Sequence, residues 1–379
     1  MNSLAARLDA LRGSSPAAPH TARTLAALTT NPGCDRRALM DAAGVDKDAL
    51  AAHLNLPRPL RPSTIALDHG AAFERRVTAQ AGAELVQLLR KTLNLTLPEV
   101  SYEDLNAVGG REPSSLPLRH ARTRSLILSA AHDRAPARTL LNHPVLRLTV
   151  AGHPAYLEPD IVAFQNHGTF HIVEVKSFPV IDGQADPTKV AAALTQAAAY
   201  VLALRELLAD DGLPPERVSN GVVLVNPRNF SHRPTATLID AVQQIKSLSR
   251  HLGRLRRLPD LLDQLPPGTT FDLAPDSEAN PTRPREELAT ALSAARAHYI
   301  PGCLRHCDLA YYCRDEARNQ GRTEALGTTV RDDVAGIEDI AMALALADGH
   351  QHPSRDRADI THALRHAQRV HADFLAGTT

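Results

Sequence analysis

Three side chains between positions 160 and 176 have the types and the spacing to bind a divalent metal ion. Asp160 is followed, after thirteen intervening residues, by Glu174, and Lys176 comes two positions later. Side chains alternate along a strand, so Glu174 and Lys176 should point the same way, about 7 Å apart at their Cα atoms. Two carboxylates that meet in a sheet rich in Val and Ile repel each other unless a cation lies between them. Oxygen ligands of this kind favour Mg²⁺ or Mn²⁺.

The residues that accompany these carboxylates could act on a phosphate. Lys176 can orient an attacking water or stabilise negative charge. Gln196 and Tyr200 lie one turn apart on a stretch rich in Ala and Leu, where they could hydrogen-bond phosphates and position a strand of nucleic acid. Short acidic and Glu-x-Lys patterns also arise by chance in strands, and a Gln–Tyr pair is also common on an ordinary helix surface.

All four cysteines form a second pattern with metal-binding potential. Cys303, Cys307 and Cys313 lie within eleven residues, and Cys34 is far away near the start. A chain without a recognisable signal peptide is expected in the reducing cytosol, where disulfides are rare. Thiolates at this spacing bind zinc or an iron–sulfur cluster, both of which accept four cysteines. Cys34 is the only cysteine left to complete such a set.

Apolar runs and turn residues predict the elements that must position these groups. Three strands of a meander are predicted at Val145 to Val150, 155–164 and 169–176, the last two joined by a tight turn at 165–168. A helix should start at 186–188 and run over 189–208, and 221–227 should be a strand. Further helices are predicted at 69–91, 238–257 and 285–298, and the tail from about 330 onward is expected to be helical.

The acidic motifs resemble those of the RecB-type branch of the PD-(D/E)xK nuclease superfamily. The motifs are Asp160, Glu174-Val175-Lys176 and Gln196-Ala-Ala-Ala-Tyr200. In that branch an upstream helix presents a further acid or a histidine to the metal, and Gly70-Ala-Ala-Phe-Glu74 is similar to that motif. The resemblance therefore implies Glu74, with His69 in reserve, although Glu74 could instead be an exposed charge paired with a neighbouring arginine. It also implies metal ligation by Asp160, Glu174 and the Val175 carbonyl, and catalytic roles for Asp160, Glu174, Lys176, Gln196 and Tyr200.

The cysteines resemble those of the iron–sulfur members of the same branch. These include the CRISPR-associated RecB-like exonucleases, the AddB nuclease domain and the eukaryotic replication helicase-nuclease. There, four cysteines hold a 4Fe–4S cluster that ties the two ends of the nuclease domain together. The family usually has two residues between the first two cysteines of the trio, whereas three stand between Cys303 and Cys307. Zinc, or His306 in place of one thiolate, therefore stays open.

The overall charge gives no general attraction for nucleic acid. Lys and Arg total 42, and Asp and Glu also total 42, so DNA contact must come from local patches. One candidate is a stripe on the predicted helix 238–257, formed by Lys246, Arg250, Arg254 and Arg257. A second is the basic stretch 119–124, expected as a loop over the cleft. The absence of Trp argues against base stacking as the main binding mode. No run of eighteen apolar residues occurs, so a soluble cytoplasmic protein without membrane contact is expected.

These patterns predict an α/β fold: a restriction-endonuclease-like core with a central mixed sheet flanked by helices and a helical iron–sulfur cap. Residues 1–22 are expected as a loose arm, 23–325 as the nuclease domain and 326–379 as a helical extension. The cap would comprise 23–98 and 285–320, and the catalytic core 139–257.

The expected activity is metal-dependent hydrolysis of DNA, from single-stranded ends, in repair, CRISPR adaptation or phage defence; protein partners are unspecified. Two alternatives stay open. One is a non-catalytic DNA-binding or assembly subunit on a nuclease fold, and the other is a zinc-stapled endonuclease.

Overall fold

The fold is described by a computed structural model, which covers residues 3–57, 64–94, 100–107, 115–132, 138–150, 153–164, 168–229, 231–254 and 257–377. The chain divides into two compact units. Unit 1 comprises Met1–Pro32, Ala38–Val45 and Pro62–Thr270. Unit 2 comprises Gly33–Arg37, Asp46–Arg61 and Phe271–Thr379.

Unit 1 is built on a mixed sheet. Over the described residues the strands are Val100–Asp104 (β1), Arg138–Asn142 (β2), Leu146–Val150 (β3), His153–Leu157 (β4), Ile161–Phe164 (β5), Phe170–Val175 (β6), Gly221–Pro227 (β7) and Pro234–Asp240 (β8). Six of these described strands form the main sheet in the order β1-β2-β5-β6-β7-β8. The pairs β1–β2 and β6–β7 are parallel and the other neighbours antiparallel. The predicted central mixed sheet is confirmed, and so is the strand predicted at 221–227.

The predicted three-stranded meander is wrong. The stretch 155–164 forms two strands, because Pro159 has no N–H to donate to a strand ladder and the chain bends at Asp160. The first strand, β4, pairs with β3 in a separate hairpin, in which Leu146 is opposite Leu157. The second, β5, pairs with β6 in the main sheet, with Ile161 opposite Val173. Most of the turn predicted at 165–168 lies outside the described residues.

One face of the main sheet packs on the longest described helix, α5 (Thr64–Leu93). The apolar core between them includes Phe73 and Val77 from the first half of the helix and Leu85 and Leu89 from the second. The helix is broken at Ala79–Gly82, where Gln80 and Ala81 both have a φ of 52°. The helix predicted at 69–91 is therefore present, but as two segments.

The opposite face is covered by helix α7 (Pro187–Ala209). Asp186 caps its first turn by accepting from the amides of Thr188 and Lys189, so the predicted helix start is confirmed. By length and composition α7 is the one helix of the described chain that could cross a membrane, but 56% of its most apolar stretch is buried within the fold. Its Ala and Leu side chains form the core on this side, which brings Tyr200 close to the sheet.

The remaining helices of unit 1 correct two expectations. They are α1 (Leu4–Arg12), α2 (Ala22–Thr30), α6 (Leu116–Ala131), α8 (Val242–Arg254) and α9 (Leu258–Asp263), while α3 (Asp35–Ala43) belongs partly to each unit. The basic stretch 119–124 is not a loop: it lies within α6, which begins with Pro117 in its first turn, a position that suits proline. The helix predicted at 238–257 is shorter, since 234–240 is β8. Arg257 therefore lies outside α8, just before α9.

The N-terminal stretch expected as a loose arm contains α1. This helix buries Leu8 and Leu11, and its Arg7 lies 2.7 Å from Asp263 in an ion pair. The start of the chain is thus packed against other parts of unit 1.

The described part of unit 2 is helical. Its helices are α4 (Lys47–His53), α10 (Arg285–Ala294), α11 (Cys303–His306), α12 (Ala310–Asn319), α13 (Thr328–Asp333), α14 (Ile340–Ala347) and α15 (Ala358–Gly377). The predicted helix at 285–298 ends earlier, at Ala294, and the tail is helical as expected.

Candidate active site and cysteine cluster

Asp160 is fixed to the end of β6 by a backbone hydrogen bond. Its Oδ2 atom accepts from the N–H of Val175 at 2.7 Å, although Asp160 itself belongs to the bend before β5. The carboxylate is mostly buried, and burial raises the pKa of Asp160 despite the nearby Lys176. The structure therefore brings Asp160 and Val175 together, as the sequence predicted for two members of one site.

Glu174 and Lys176 form the centre of the site. The Lys176 Nζ atom lies 2.5 Å from Oε2 of Glu174 and 3.7 Å from Oδ2 of Asp160, so one ammonium bridges two carboxylates. The Glu174 side chain has 0% exposure. Its Oε2 atom contacts the Lys176 ammonium, whereas Oε1 has no hydrogen-bond partner within the described part of the chain. A buried carboxylate in this condition is unusual for a purely structural residue.

The protonation equilibria follow from burial and from the mutual charges. Burial, reinforced by the charge of Asp160, raises the pKa of Glu174 to about 8. Burial acts to lower the pKa of Lys176, but the attraction of Glu174 and Asp160 outweighs it, so that this pKa lies above its ordinary value. Lys176 is thus a permanent positive charge at neutral pH, whereas Glu174 holds its proton more tightly than a carboxyl in water.

Glu74, on the first half of α5, lies near the charged side chains described above. Its carboxylate acts electrostatically on Asp160, Glu174 and Lys176. Its Oε1 atom lies 3.1 Å from Nε2 of His143. The reserve residue His69 is exposed, and its ring centroid is 6.4 Å from that of His232. Of these two residues, Glu74 is therefore the one that lies with the carboxylates around Lys176.

Three further polar side chains lie beside the carboxylates: His143, which the sequence did not single out, Glu158, which precedes Asp160 by two positions, and Arg119 from the basic stretch. His143 follows β2, and its Nδ1 atom lies 3.3 Å from Oε1 of Glu158, whose Oε2 atom lies 2.9 Å from Nη1 of Arg119. The adjacent carboxylates of Glu158 and Glu74 raise the pKa of His143 to about 10. Burial would raise the pKa of Glu158, but His143 and Arg119 outweigh it, and this pKa is lowered. No spacing rule connects positions so far apart, so only the fold reveals this group.

Gln196 and Tyr200 interact as their helical spacing predicts. Nε2 of Gln196 donates to Oη of Tyr200 at 2.9 Å on α7. Burial and the charge of Glu174 keep the pKa of Tyr200 well above its usual range, so its hydroxyl proton is retained. Both side chains therefore belong to the surroundings of the carboxylates; their roles stay predictions.

The four cysteines gather in unit 2. Cys34 immediately precedes α3, Cys303 starts α11, and Cys313 lies within α12. None of the four forms a disulfide, and Cys307 is partly exposed while the other three are buried. The N–H of Cys307 donates to the Cys303 carbonyl at 2.9 Å, and Arg36, two residues after Cys34, contacts the thiol of Cys313. Burial raises the pKa of Cys34, and it raises that of Cys313 to about 12 despite the nearby Arg36.

Arg36 joins the first cysteine to the last. Its side chain is 3% exposed, and its Nη1 atom donates to Sγ of Cys313 at 3.2 Å. The same guanidinium makes two hydrogen bonds to the carboxylate of Glu316, at 2.7 and 3.0 Å. Its Nε atom donates to the Ala295 carbonyl at 3.0 Å. Two sequence segments roughly 270 residues apart are thus held together by one buried charge.

As the side chains stand, no group of three or more His, Cys, Asp or Glu in the described ranges is arranged to hold a metal ion. At the carboxylates, the ammonium of Lys176 lies between Asp160 and Glu174. At the cysteines, Cys34 and Cys313 have raised pKa values and are protonated at neutral pH. Metal binding at either place requires a side chain to move or protons to leave.

The predicted basic stripe is solvent-exposed. Lys246, Arg250 and Arg254 lie on α8 and Arg257 follows it, and all four are exposed. The opposite side of α8 buries Ile245 and Leu248. The stripe is thus available to a ligand, which its sequence alone could not establish.

No model of a known protein family matches the chain, and no curated protein does.

Proposed function

We propose that unit 1 is the catalytic domain of a metal-dependent DNA nuclease of the RecB-type PD-(D/E)xK kind, with a restriction-endonuclease-like core. The observation that carries this proposal is the convergence of Asp160 and Glu174 on Lys176 at the end of β6. The buried Glu174 contacts Lys176 through Oε2, whereas its Oε1 atom has no hydrogen-bond partner among the described residues, which is uncommon for a carboxylate with a purely structural role. Such oxygens suit a hard divalent cation.

The ligands of Mg²⁺ or Mn²⁺ would be Asp160, Glu174, the carbonyl of Val175 and Glu74. When bound, such an ion supplies Lewis-acid polarisation of the phosphodiester and a nucleophile at neutral pH. The hydrogen bond from Val175 to Asp160 holds one of these carboxylates in place without any ion. These oxygen donors are the type that Mg²⁺ and Mn²⁺ prefer, and Lys176 would have to move away from Asp160 and Glu174 for an ion to bind between them.

Lys176, Gln196 and Tyr200 would act directly on the DNA. Because the pKa of Lys176 is raised, its ammonium is a constant positive charge for a phosphate oxygen. Tyr200 keeps its hydroxyl proton and can donate it in a hydrogen bond, while Gln196 fixes the orientation of that hydroxyl. Contacts of these two donors with the DNA backbone would carry no sequence specificity.

We propose that Cys34, Cys303, Cys307 and Cys313 hold a 4Fe–4S cluster with a structural role in a helical cap. Burial of three of the thiols and the N–H···S contact from Arg36 suit thiolate ligation of a cluster. Zinc is the alternative occupant. The partner would be single-stranded DNA, and the location the cytoplasm, as the resemblance and the composition suggest.

The test uses the full chain purified without oxygen. Linear single strands, linear duplex and circular single strands, each labelled, are incubated with Mn²⁺ or Mg²⁺. We expect linear single strands to shorten and circles to resist. Lys176→Ala and Glu174→Gln should lower the rate at least about 100-fold, while Lys189→Ala, an exposed lysine at the start of α7, should behave as wild type.

Three results would count against the proposal. Binding of DNA without any cleavage would favour the non-catalytic subunit. Cutting of circles would favour the endonuclease. Full activity in both Lys176→Ala and Glu174→Gln would place the chemistry elsewhere.

A further inference from the structure

We infer that His143 is a positioning residue that holds the Glu74 carboxylate at the metal site, together with Glu158 and Arg119. This inference rests on the proposed function. It concerns a histidine that is absent from every motif on which the family resemblance was based, and that lies between the segment of Asp160 and the helix of Glu74.

Both ring nitrogens of His143 lie close to carboxylate oxygens. Nε2 lies 3.1 Å from Oε1 of Glu74, and Nδ1 lies 3.3 Å from Oε1 of Glu158. Since these nitrogens are on opposite sides of the ring, the imidazole bridges two acids and has no nitrogen left for a metal. His143 therefore acts through Glu74. Within the described chain, it is the ion-pair partner of that carboxylate.

Glu158 and Arg119 hold the imidazole from the other side. The guanidinium of Arg119 lies 2.9 Å from Oε2 of Glu158 and donates to the His143 carbonyl at 2.8 Å. Its Nε atom donates to the carbonyl of Leu105 at 3.2 Å. Arg119 is a buried residue of α6, so the chain of contacts from Glu74 through His143 and Glu158 is anchored to a helix. An outer layer of this kind orients the groups that contact a metal.

The backbone of His143 is hydrogen-bonded to the backbone of Asp160. Its N–H donates to the carbonyl of Asp160 at 2.9 Å. This contact occurs at a φ of 48°, in the left-handed region that residues other than glycine seldom adopt. One residue thus touches the main chain of Asp160 and the side chain of Glu74. Such an unusual conformation is expected to persist where the surroundings enforce it.

The consequence is that Glu74 should be correctly placed before any ion binds. Glu74 comes from α5, and Asp160 and Glu174 come from the sheet, so no local geometry fixes their separation. The His143 bridge supplies that constraint. Without it, the affinity for the ion and the rate should fall, whereas DNA binding at phosphates should not change.

The experiment measures Mn²⁺ binding to the full chain without DNA, by electron paramagnetic resonance of free Mn²⁺. The variants are His143→Asn and His143→Gly, since both residues tolerate a positive φ and neither can bridge the two acids. We expect the Mn²⁺ dissociation constant to rise about 10- to 100-fold. In cleavage assays kcat should fall and KM for DNA should stay unchanged. His120→Asn is the matched control, because His120 is a half-buried histidine whose Nδ1 atom contacts the Val145 carbonyl and not an acid.

A double-mutant cycle with Glu74→Gln separates positioning from a general structural effect. If His143 acts through Glu74, then His143→Asn should change Mn²⁺ affinity little in the Glu74→Gln background. Wild-type Mn²⁺ affinity in both His143 variants, or full additivity with Glu74→Gln, would overturn the inference while leaving the nuclease proposal intact. A wild-type chain that neither binds Mn²⁺ nor cleaves DNA would overturn both.

Discussion

The N–H of Val175 donates to the carboxylate of Asp160 at 2.7 Å, which joins the bend before β5 to the end of β6. The bond fixes where Asp160 lies relative to Glu174 and Lys176, the two residues that flank Val175. A backbone donor is a firm support, since it survives replacement of any side chain. The backbone of the sheet therefore positions the acids around Lys176, and each of these side chains can be substituted separately.

Removal of Lys176 should destabilise the metal-free protein in a pH-dependent manner. In Lys176→Met the buried Glu174 and the neighbouring Asp160 lose their common counter-charge. We expect the free energy of unfolding to fall by about 3 to 5 kcal/mol at pH 9, as for other broken buried pairs. The loss should be smaller at pH 6, because Glu174 can then take up a proton. Urea denaturation at both pH values measures the free energy of unfolding, with Lys189→Met as the control variant. An equal loss of stability at pH 6 and pH 9 would contradict the prediction.

Glu174 should make the metal-free protein less stable as the pH rises. Its pKa in the folded protein is raised from 4.5 to about 8, so the folded state binds this proton more tightly than the unfolded state does. The resulting stabilisation is complete below pH 4.5 and is lost as the pH approaches 8. Between pH 4.5 and pH 8 the free energy of unfolding of the wild type should therefore fall relative to that of Glu174→Gln, which has no proton to lose at this position. A difference that does not vary with pH would show that Glu174 titrates normally.

The identity of the fourth ligand at the cysteine site can be decided by three variants. If four cysteines hold the cluster, Cys34→Ala and Cys313→Ala should lose the brown colour and the roughly four irons per chain, and both should melt earlier by similar amounts. His306→Ala should keep the iron. Iron analysis and a visible spectrum of anaerobically purified protein measure this. A colourless wild type with one zinc, or loss of metal in His306→Ala, would overturn the assignment.

The exposed stripe on α8 should contribute to DNA affinity through phosphates. Replacing Lys246, Arg250 and Arg254 by Gln should lower the slope of log affinity against log salt by about 2 for a single strand, at roughly 0.7 per neutralised phosphate. The control variant replaces three exposed cations elsewhere, Lys91, Arg355 and Arg369, and removes the same charge. Fluorescence anisotropy across a salt series measures both. Equal slopes in the two variants would make the stripe an ordinary solvated face.

Local patterns were sufficient for elements whose residues are neighbours in sequence. The capping of α7 by Asp186 and the contact of Gln196 with Tyr200 both follow from helical spacing. The alternation that puts Glu174 and Lys176 together is likewise local. These parts of the site were predictable for that reason.

Long-range relationships and single proline effects were not predictable in the same way. Pro159 divides a continuous apolar run into β4 and β5, while Pro117 starts a helix where a loop was expected. The bridge from Glu74 through His143 to Glu158 joins separate segments of the chain, and His143, which makes the connection, has no distinctive local pattern. Such contacts arise only when the sheet and α5 are assembled.

The buried contact of Arg36 with Cys313 and Glu316 has a consequence for the order of events during synthesis. A ribosome adding about 5 to 20 residues per second needs roughly 15 to 50 seconds to proceed from Cys34 to Cys303. During this time the whole sheet of unit 1 is synthesised. The residues that contact Arg36, and the three cysteines near the end of the chain, have not yet been synthesised. Unit 2 is consequently completed last, and a chain released early would lack the partners of Arg36.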